Sequence, residues 1–254
     1  MELTGRVAVV TGGVSGIGAA TAERLRSAGA TVVTWDLSAA ADVRVDTSRE
    51  HEVEAAIAGT KQRWGVPTVL VAAAGIGRTG SLIDTTVEQW DHIFDTNVKG
   101  VWLSMRAVAR EIRDAGLDGS IVAVSSIQGV LADPYLAAYS ATKAAVLHLG
   151  RLAAVEWGGY GIRVNAVGPG ATLTPMLQKS IDADPSYADG IARTTPLGRI
   201  GTADDVAEGI LRVQRDADDG GLVVLDVDPL VVGREHGRHR RSPRSGRRGD
   251  GKAG

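Results

Sequence analysis

The sequence predicts a single α/β domain built on a doubly wound parallel sheet. Its 254 residues are the size of one such domain, and strand-sized apolar runs alternate along it with helix-sized, Ala-rich stretches. The apolar runs are rich in β-branched residues and bounded by Gly, Asp or Ser, as is typical of buried parallel strands. The predicted strands are residues 7–10, 31–35, 69–73, 121–124 and 164–167.

Helices are predicted between these strands and after the last of them. They are residues 16–28, 49–63, 98–114, 141–157 and 202–213. Residues 43–45 and 222–227 are candidates for further strands. Four prolines between positions 169 and 196 predict an irregular flap over residues 170–200. Ligands of doubly wound sheets bind beyond the carboxyl ends of the strands, so we expect the functional residues there.

The composition narrows the class of protein. The chain contains no Cys, which excludes disulfides, thiolate catalysis and Cys-ligated metal sites, and we expect no metal. The apolar runs are too short to span a bilayer, and the first residues show no leader pattern. We therefore expect a cytoplasmic protein with no membrane partner.

The charge is unevenly distributed, although the net charge is only −2. Residues 234–254 carry eight Lys or Arg against two acidic residues. We therefore divide the chain into a domain at 1–233 and a basic tail at 234–254, which we expect to be disordered. A frame-shifted end and a polyanion-binding arm are alternatives. Because positive charge does not line a folded domain, nucleic acid is not an expected partner.

A glycine-rich turn follows the first predicted strand. Residues 11–18, TGGVSGIG, lead directly into a helix, where backbone N–H groups and the helix dipole can hold a pyrophosphate, although such a segment can also be only a turn. The second strand supports the nucleotide interpretation because it ends at Asp36. A carboxylate there can accept hydrogen bonds from both ribose hydroxyls and would repel a 2′-phosphate. NAD is therefore the expected cofactor.

Tyr139 and Lys143 stand four residues apart, on one face of a helix. A free Tyr has a pKa of about 10, and a nearby Lys charge favours the tyrosinate that a base requires. Ser126 follows the strand at 121–124, from where its hydroxyl can bond a carbonyl oxygen. Alone, Tyr-x-x-x-Lys is a common surface pattern, and Asn97 alone suits a helix N-cap.

In this order and spacing, residues 11–18, Asn97, Ser126 and Tyr139-x-x-x-Lys143 resemble the short-chain dehydrogenase/reductase family. Residues 165–170 match a later signature of that family, and the resemblance extends from residue 3 to residue 211. It implies a Rossmann-like single domain, assembled as a homo-oligomer (tetramer or dimer). The implied activity is oxidation of secondary alcohols or reduction of ketones without metal. The enoyl-reductase branch is disfavoured because it spaces its Tyr and Lys more widely.

The resemblance also implies a role for each matching residue. Tyr139 would be the general acid/base, Ser126 would position and polarise the carbonyl, and Lys143 would lower the pKa of Tyr139 and bind the ribose. Asn97 would hold a water of the proton relay. The implied cofactor contacts are Gly12, Ser15, Gly16, Ile17, Gly18, Asp36, Asp46, Thr47, Ala73, Gly75, Tyr139, Lys143, Pro169, Gly170, Thr172 and Thr174. Of these, Asp46 and Thr47 would meet the adenine, although the pair equally suits a helix N-cap.

The substrate is less well specified. Gln128, Tyr135 and Met176 are expected to face it, from two mostly apolar segments at 127–135 and 174–180. Such a lining suits an aliphatic or alicyclic ketone or secondary alcohol better than a phosphorylated sugar.

Two departures from the family pattern keep an alternative open. Residues 72–75 are Ala-Ala-Ala-Gly where the family has Asn-Asn-Ala-Gly, so we expect weaker bracing of that strand. After Leu211 the chain no longer follows the family's C-terminal pattern. The leading hypothesis is an NAD-dependent oxidoreductase. The alternative is a nucleotide-binding member whose altered C-terminal end impairs catalysis.

Overall fold

The computed structural model describes residues 3–215 and 222–223. Within them the strands are β1 (Val7–Thr11), β2 (Thr31–Asp36), β3 (Val43–Arg44), β4 (Pro67–Ala72), β5 (Gly119–Val124), β6 (Ile162–Val167), β7 (Thr172–Leu173), β8 (Gly201–Thr202) and β9 (Leu222–Val223). The α-helices are α1 (Gly16–Ser27), α2 (Glu50–Trp64), α3 (Val87–Phe94), α4 (Gly100–Ala115), α5 (Ala137–Trp157), α6 (Pro175–Ala183), α7 (Ser186–Thr194) and α8 (Ala203–Arg215).

Seven strands form one sheet in the order β3-β2-β1-β4-β5-β6-β9, and every neighbouring pair is parallel. The chain moves outward from β1 to β3, returns to β4 on the other side of β1, and then continues to β9. This reversal between β1 and β4 creates a crevice at the carboxyl ends of the strands, where doubly wound sheets bind ligands. The predicted α/β class with a Rossmann-like sheet is confirmed.

Two apolar cores cover the faces of the sheet. On one face the strands pack against α2, α4 and α5, and on the other against α1 and α8. Because side chains alternate along a strand, Leu70 of β4 contributes to the first core while Val69 and Val71 contribute to the second. Burial of both faces explains why these strands are continuous apolar runs.

Residues 170–200 are not an irregular flap, so that prediction was wrong. The short strand β7 pairs with β8, and α6 and α7 lie between them. Pro175 occupies the first turn of α6 and Pro185 immediately precedes α7. Proline is favoured at these positions because the first turn does not need its missing N–H. The prolines therefore start helices here.

The helices between β4 and β6 also differ from the prediction. Helix α3 was not predicted, and residues Asp95–Lys99 form a π-helical turn before α4, which begins at Gly100 instead of residue 98. Asn97 therefore lies inside a helical segment and is not an N-cap. Helix α5 begins at Ala137 instead of residue 141, so Tyr139 lies within its first turn. Of the candidate strand at 222–227, residues 224–227 lie outside the described residues, as does the basic tail.

Candidate active site

The turn after β1 leaves no room for side chains at its glycines. Gly12 has φ +66°, and a Cβ built on it would lie 2.9 Å from the Cα of Ala74. A Cβ on Gly18 would collide with the carbonyl oxygen of Gly12. Gly16 has φ +51° and faces the Thr174 side chain, 3.3 Å from a built Cβ. Bare backbone is therefore presented where Ser15 and Ile17 open helix α1.

Asp36 lies against this turn, at the carboxyl end of β2. Its Oδ2 accepts a hydrogen bond from the backbone N–H of Val14 at 3.5 Å, and its Oδ1 accepts one from Ser38 at 3.0 Å. The structure thus brings the carboxylate and the glycine-rich turn together. A ligand bound along the turn would meet this negative charge.

Asp46 and Thr47 lie in the turn that leads into α2. Burial raises the pKa of the Asp46 carboxyl, but hydrogen bonds from Ser48 and Arg49 outweigh it and hold the pKa below its usual value. Thr47 is buried, with its Oγ1 2.9 Å from a Cβ built on Gly100 at the start of α4. The contacts of the Asp46 carboxylate are thus those of a polar turn before α2, whose N-cap is Arg49, so neither Asp46 nor Thr47 caps the helix.

The alanine segment after β4 lacks the family's asparagines and is braced by Thr11 instead. The N–H of Ala74 donates to the Thr11 Oγ1 at 3.0 Å. Ala73 is partly buried against the core, and a Cβ built on Gly75 would lie 3.2 Å from the Asn97 Oδ1 and 3.6 Å from the Lys143 Nζ. The segment therefore connects the nucleotide turn to the catalytic residues.

The buried side chain of Asn97 joins this segment to helix α5. Its Oδ1 accepts from the Ile76 N–H at 2.8 Å, and its Nδ2 donates to the Ile76 carbonyl at 2.9 Å and to the Thr142 Oγ1 at 3.1 Å. The Thr142 hydroxyl in turn donates to the carbonyl oxygen of Tyr139 at 2.7 Å. The Asn97 amide thus has protein partners at both ends. These hydrogen bonds make Asn97 a brace between the segment after β4 and α5.

Ser126, Tyr139 and Lys143 meet at the tip of β5. The Ser126 and Tyr139 side chains face one another, while the Lys143 Nζ lies 5.6 Å from the centre of the Tyr139 ring. Burial raises the pKa of Tyr139, and Ser126 opposes that rise. Desolvation of the phenolate is the larger effect, so the pKa of Tyr139 in the protein alone lies above its usual value. That Lys143 lowers this pKa stays a prediction.

Lys143 is almost completely buried. Burial lowers the pKa of its ammonium group to about 8, and the Nζ donates to the Val124 carbonyl at 3.0 Å. A lysine that holds its proton at pH 7 in this position places a positive charge directly beside the phenol.

The segment after β6 reaches both halves of the site. The carbonyl of Pro169 accepts from the Ile127 N–H at 2.9 Å, directly after Ser126, and the Thr172 hydroxyl donates to the Gly170 carbonyl at 3.0 Å. Thr174 accepts from the Leu177 N–H at 3.5 Å, which starts α6. Because Thr174 also faces Gly16, this segment lies across the crevice between the two halves.

The three residues predicted to face the substrate have different neighbours. Gln128 lies in a short 3₁₀ turn, and its backbone N–H donates to the Ser126 Oγ at 3.2 Å. Tyr135 is exposed and has φ +68°, an unusual value for a residue other than Gly, and its carbonyl accepts from the Gly80 N–H at 2.7 Å. The Met176 Sδ would lie 2.7 Å from a Cβ built on Gly77. Gln128 thus lies beside Ser126, whereas Tyr135 and Met176 contact the segment at 77–80.

Sequence reasoning missed two buried hydroxyls of the site. Neither Thr142, inside the Tyr-x-x-x-Lys motif, nor Ser125, next to Ser126, was among the predicted site residues. The Ser125 Oγ donates to the Lys143 carbonyl at 2.7 Å. The signal for both was adjacency to a catalytic residue, which alone does not distinguish a buried hydrogen bond from an exposed one.

The described part of the chain contains neither a cluster of metal-binding side chains nor a helix that could span a membrane. In residues 3–215 and 222–223, no three His, Asp or Glu side chains converge as a metal-binding group. No helix in those same residues is long and apolar enough to cross a membrane.

The fold and the site define a class of protein: an α/β enzyme with a nucleotide crevice and a Ser-Tyr-Lys centre. The family model described as "Enoyl-(Acyl carrier protein) reductase" matches residues 12–220. The chain is an oxidoreductase that belongs to the short-chain dehydrogenase/reductase family, whose members use a nicotinamide cofactor.

Relatives and solved structures agree with this assignment. The 2-(R)-hydroxypropyl-CoM dehydrogenase of Xanthobacter autotrophicus is 40% identical over 226 residues, which are 81% of this chain and 90% of that protein. The cis-4-hydroxycyclohexanecarboxylate dehydrogenase of Sinomonas cyclohexanicum is 39% identical over 228 residues, 84% of this chain and 90% of the relative. A structure described as ElxO with NADP bound superposes with a TM-score of 0.80 at 29% identity, covering 87% of this chain and 97% of the other.

Proposed function

We propose that this protein is an NAD-dependent dehydrogenase that interconverts a secondary alcohol and a ketone, with Tyr139 as the general acid/base. The observation that carries the proposal is that the Ser126 hydroxyl, the Tyr139 phenol and the buried Lys143 ammonium group lie together just beyond β5, at the edge of the nucleotide crevice. The oxygen of an alcohol substrate needs one group that orients it and another that takes its proton, and here a hydroxyl and a phenol lie close enough to do both.

The residues of the crevice fit a dinucleotide. The bare backbone at Gly12, Gly16 and Gly18 allows a pyrophosphate to approach the start of α1, and Asp36 lies where a ribose would be recognised. The other positions that we propose along the cofactor are Ser15, Ile17, Asp46, Thr47, Ala73, Gly75, Pro169, Gly170, Thr172 and Thr174. The nicotinamide, when bound, accepts or donates the hydride.

The chain's own residues handle the proton. During oxidation the Tyr139 phenolate takes the hydroxyl proton of the alcohol, and during reduction the phenol returns it to the carbonyl oxygen. Ser126 donates to that oxygen and fixes its distance from Tyr139. The Lys143 charge favours the phenolate, and Asn97 holds the segment after β4 against helix α5 so that these groups stay in register.

Several further properties follow from the same proposal. The spacing of Tyr139 and Lys143 favours a ketone or alcohol over an enoyl substrate, and the largely apolar surroundings of Gln128, Tyr135 and Met176 favour an aliphatic or alicyclic one. The ring alcohol in the name of the Sinomonas relative agrees with this choice. We also propose a cytoplasmic homo-oligomer, a tetramer or a dimer.

Tyr139→Phe tests the catalytic assignment. The variant loses the only atom that can exchange the proton but keeps the ring, so NADH affinity should stay within about twofold while kcat falls by at least about 100-fold. Steady-state oxidation of a panel of aliphatic and alicyclic alcohols measures kcat, and a fluorescence titration measures NADH affinity. Tyr160→Phe, at an exposed position beyond α5, is the control and should retain full activity. If Tyr139→Phe keeps even a tenth of the activity, the assignment is wrong.

Asp36 tests the cofactor preference. Its charge should make NADPH bind at least about tenfold more weakly than NADH, because a 2′-phosphate would approach a carboxylate. The buried Trp35 adjoins Asp36, so its emission reports binding of either nucleotide. Asp36→Asn should narrow the difference between the NADH and NADPH affinities. Glu54→Gln, which removes the charge of an exposed carboxylate on α2, should leave that difference unchanged. Equal affinities in the unaltered protein would contradict NAD preference, and binding of neither would favour the impaired alternative.

A further inference from the structure

Val124 and Ser125, at the end of β5, both form hydrogen bonds with Lys143 of α5, one with its side chain and one with its backbone. The carbonyl of Val124 accepts from the Lys143 Nζ at 3.0 Å, and the hydroxyl of Ser125 donates to the Lys143 backbone carbonyl at 2.7 Å. Ser125 and Lys143 are 3% and 6% exposed. Both hydrogen bonds are therefore protected from water, and each fixes a different part of the lysine.

Ser125 is itself firmly placed. Its backbone N–H donates to the Val167 carbonyl at 2.7 Å, which ties it to the end of β6. The loop that follows packs directly on the same point of α5, because a Cβ built on Gly129 would lie 2.8 Å from the Lys143 carbonyl carbon and oxygen. The Ser125 hydroxyl therefore connects the sheet to the helix where the two are in closest contact.

The helix does not need this hydrogen bond for its own integrity. Inside an α-helix, the carbonyl of residue 143 already accepts from the N–H of residue 147, and the Ser125 hydroxyl uses its second lone pair. What the hydroxyl adds is a fixed position of Lys143 relative to the end of β5, which Ser126 directly follows. The segment that holds Ser126 and the helix that holds Lys143 are thus joined by a buried hydrogen bond.

We propose that Ser125 is a positioning residue, whose hydroxyl holds Lys143 at the height along α5 where its ammonium group acts on Tyr139. This inference rests on the proposed function, in which Lys143 supports the Tyr139 phenolate. Without the hydroxyl, the first turns of α5 can shift relative to β5, and a small displacement of a catalytic group lowers kcat more than it lowers binding.

The chain offers a matched pair of serines for the test. Ser120 lies in β5, five residues before Ser125, and is about as buried, but its hydroxyl has no hydrogen-bond partner among the described residues. Ser125→Ala and Ser120→Ala therefore remove the same atom from similar surroundings, and only the first breaks a contact with Lys143. Ser125→Thr restores a hydroxyl and serves as the rescue variant.

Two readouts are measured on each full-length variant. The first is the rate at which acetic anhydride labels Lys143 at neutral pH, determined by peptide mass spectrometry relative to the exposed Lys179. It requires no turnover. The second is kcat, KM and NADH affinity with an alcohol that the unaltered protein oxidises.

In Ser125→Ala, acetic anhydride should label Lys143 several-fold faster than in the unaltered protein. The kcat should be about tenfold lower, and the KM for the alcohol should stay within about twofold. Ser125→Thr should recover most of both effects, and Ser120→Ala should show neither. If Ser125→Ala keeps its kcat and its labelling rate, or if Ser120→Ala changes them equally, the inference is wrong. A lower melting temperature alone would also count against it, since that is the result of a purely structural role.

The same experiment separates this inference from the proposed function. The unaltered protein could oxidise no alcohol while Lys143 is still labelled faster in Ser125→Ala than in Ser120→Ala. In that case the Ser125 hydroxyl positions the lysine, and the dehydrogenase proposal fails. If labelling is unchanged and no alcohol is oxidised, both fail.

Discussion

At the scale of single residues, the site is built around a buried charge that lowers the stability of the folded protein. Moving a lysine ammonium group out of water is unfavourable, and one hydrogen bond to the Val124 carbonyl compensates for only part of it. Burial therefore lowers the pKa of Lys143 to about 8 from a usual value of 10.5. The fold keeps this group because the reaction that we propose needs its charge beside Tyr139.

This lowered pKa predicts how stability depends on pH. Between about pH 8 and pH 10.5 the unfolded chain retains the Lys143 proton while the folded protein loses it. The contribution of Lys143 to the free energy of unfolding therefore rises with pH between about pH 8 and pH 10.5. Below pH 8 the buried charge lowers the free energy of unfolding by about 3 kcal/mol. Lys143→Met removes the charge and nearly preserves the volume. The variant should gain stability relative to the unaltered protein at pH 7 and lose most of that gain at pH 10.

Urea unfolding of both proteins at pH 7 and pH 10 measures this difference. The other titrating groups are common to the two proteins, so the change in the difference, about 2 kcal/mol, reports Lys143. Lys179→Met, at an exposed lysine on α6, is the control and should give the same difference at both pH values. A stability difference between Lys143→Met and the unaltered protein that does not shrink as the pH rises would show that folding does not lower the pKa of Lys143.

Tyr139, Lys143 and Ser126 could be proposed from the sequence because residues four apart share a helix face and a hydroxyl directly after a buried strand must lie at its carboxyl end. The predicted helix began only at residue 141, whereas α5 begins at Ala137 and includes both Tyr139 and Lys143. The contact of Ser125 could not be predicted in the same way, because the carbonyl that its hydroxyl reaches is set by how α5 packs against β5. The Thr142 hydroxyl donates within α5, but it accepts from Asn97, which is distant in sequence.

At the scale of elements, buried strands were predictable and the segments between them were less so. Each of the five main predicted strands ends within two residues of its observed position, because burial on both faces imposes an apolar run. The start of helix α3 is marked in the sequence by Thr86 and Gln89, which form a capping box with both hydrogen bonds present. Polar residues at that spacing predict a helix start.

The π-helical turn at Asp95–Lys99 has no comparable local signal. Its distinguishing contacts are the three hydrogen bonds of the Asn97 side chain, two to Ile76 and one to Thr142, and all of them are distant in sequence. Wide turns of this kind are often associated with functional sites. Here the turn places a buried amide between the crevice and α5, so tertiary contacts decide the local backbone.

At the scale of the whole molecule, the two halves of the site depend on a sheet that is closed on both faces. Helices α1 and α8 together cover one face, where Arg24 of α1 lies near Asp204 and Glu208 of α8. The last turn of α8 is attached to the sheet by Arg163 of β6, whose guanidinium donates to the carbonyls of Val213 at 3.2 Å and Gln214 at 2.7 Å. A cation at the carboxyl end of a helix also interacts favourably with the helix dipole.

Arg163→Met therefore tests how much this attachment contributes to the fold. The change keeps the apolar stem but leaves two helix-end carbonyls without their charged donor, so the free energy of unfolding should fall by about 2 kcal/mol. Arg212→Met is the matched control, because Arg212 ends the same helix but forms only an exposed ion pair with Glu208, and its loss should cost less than about 1 kcal/mol. Urea denaturation of both variants measures these costs. Equal costs would mean that α8 is held by its apolar contacts alone. A larger cost for Arg163→Met, with NADH affinity unchanged, would show that β6 stabilises this helix without acting on the nucleotide crevice.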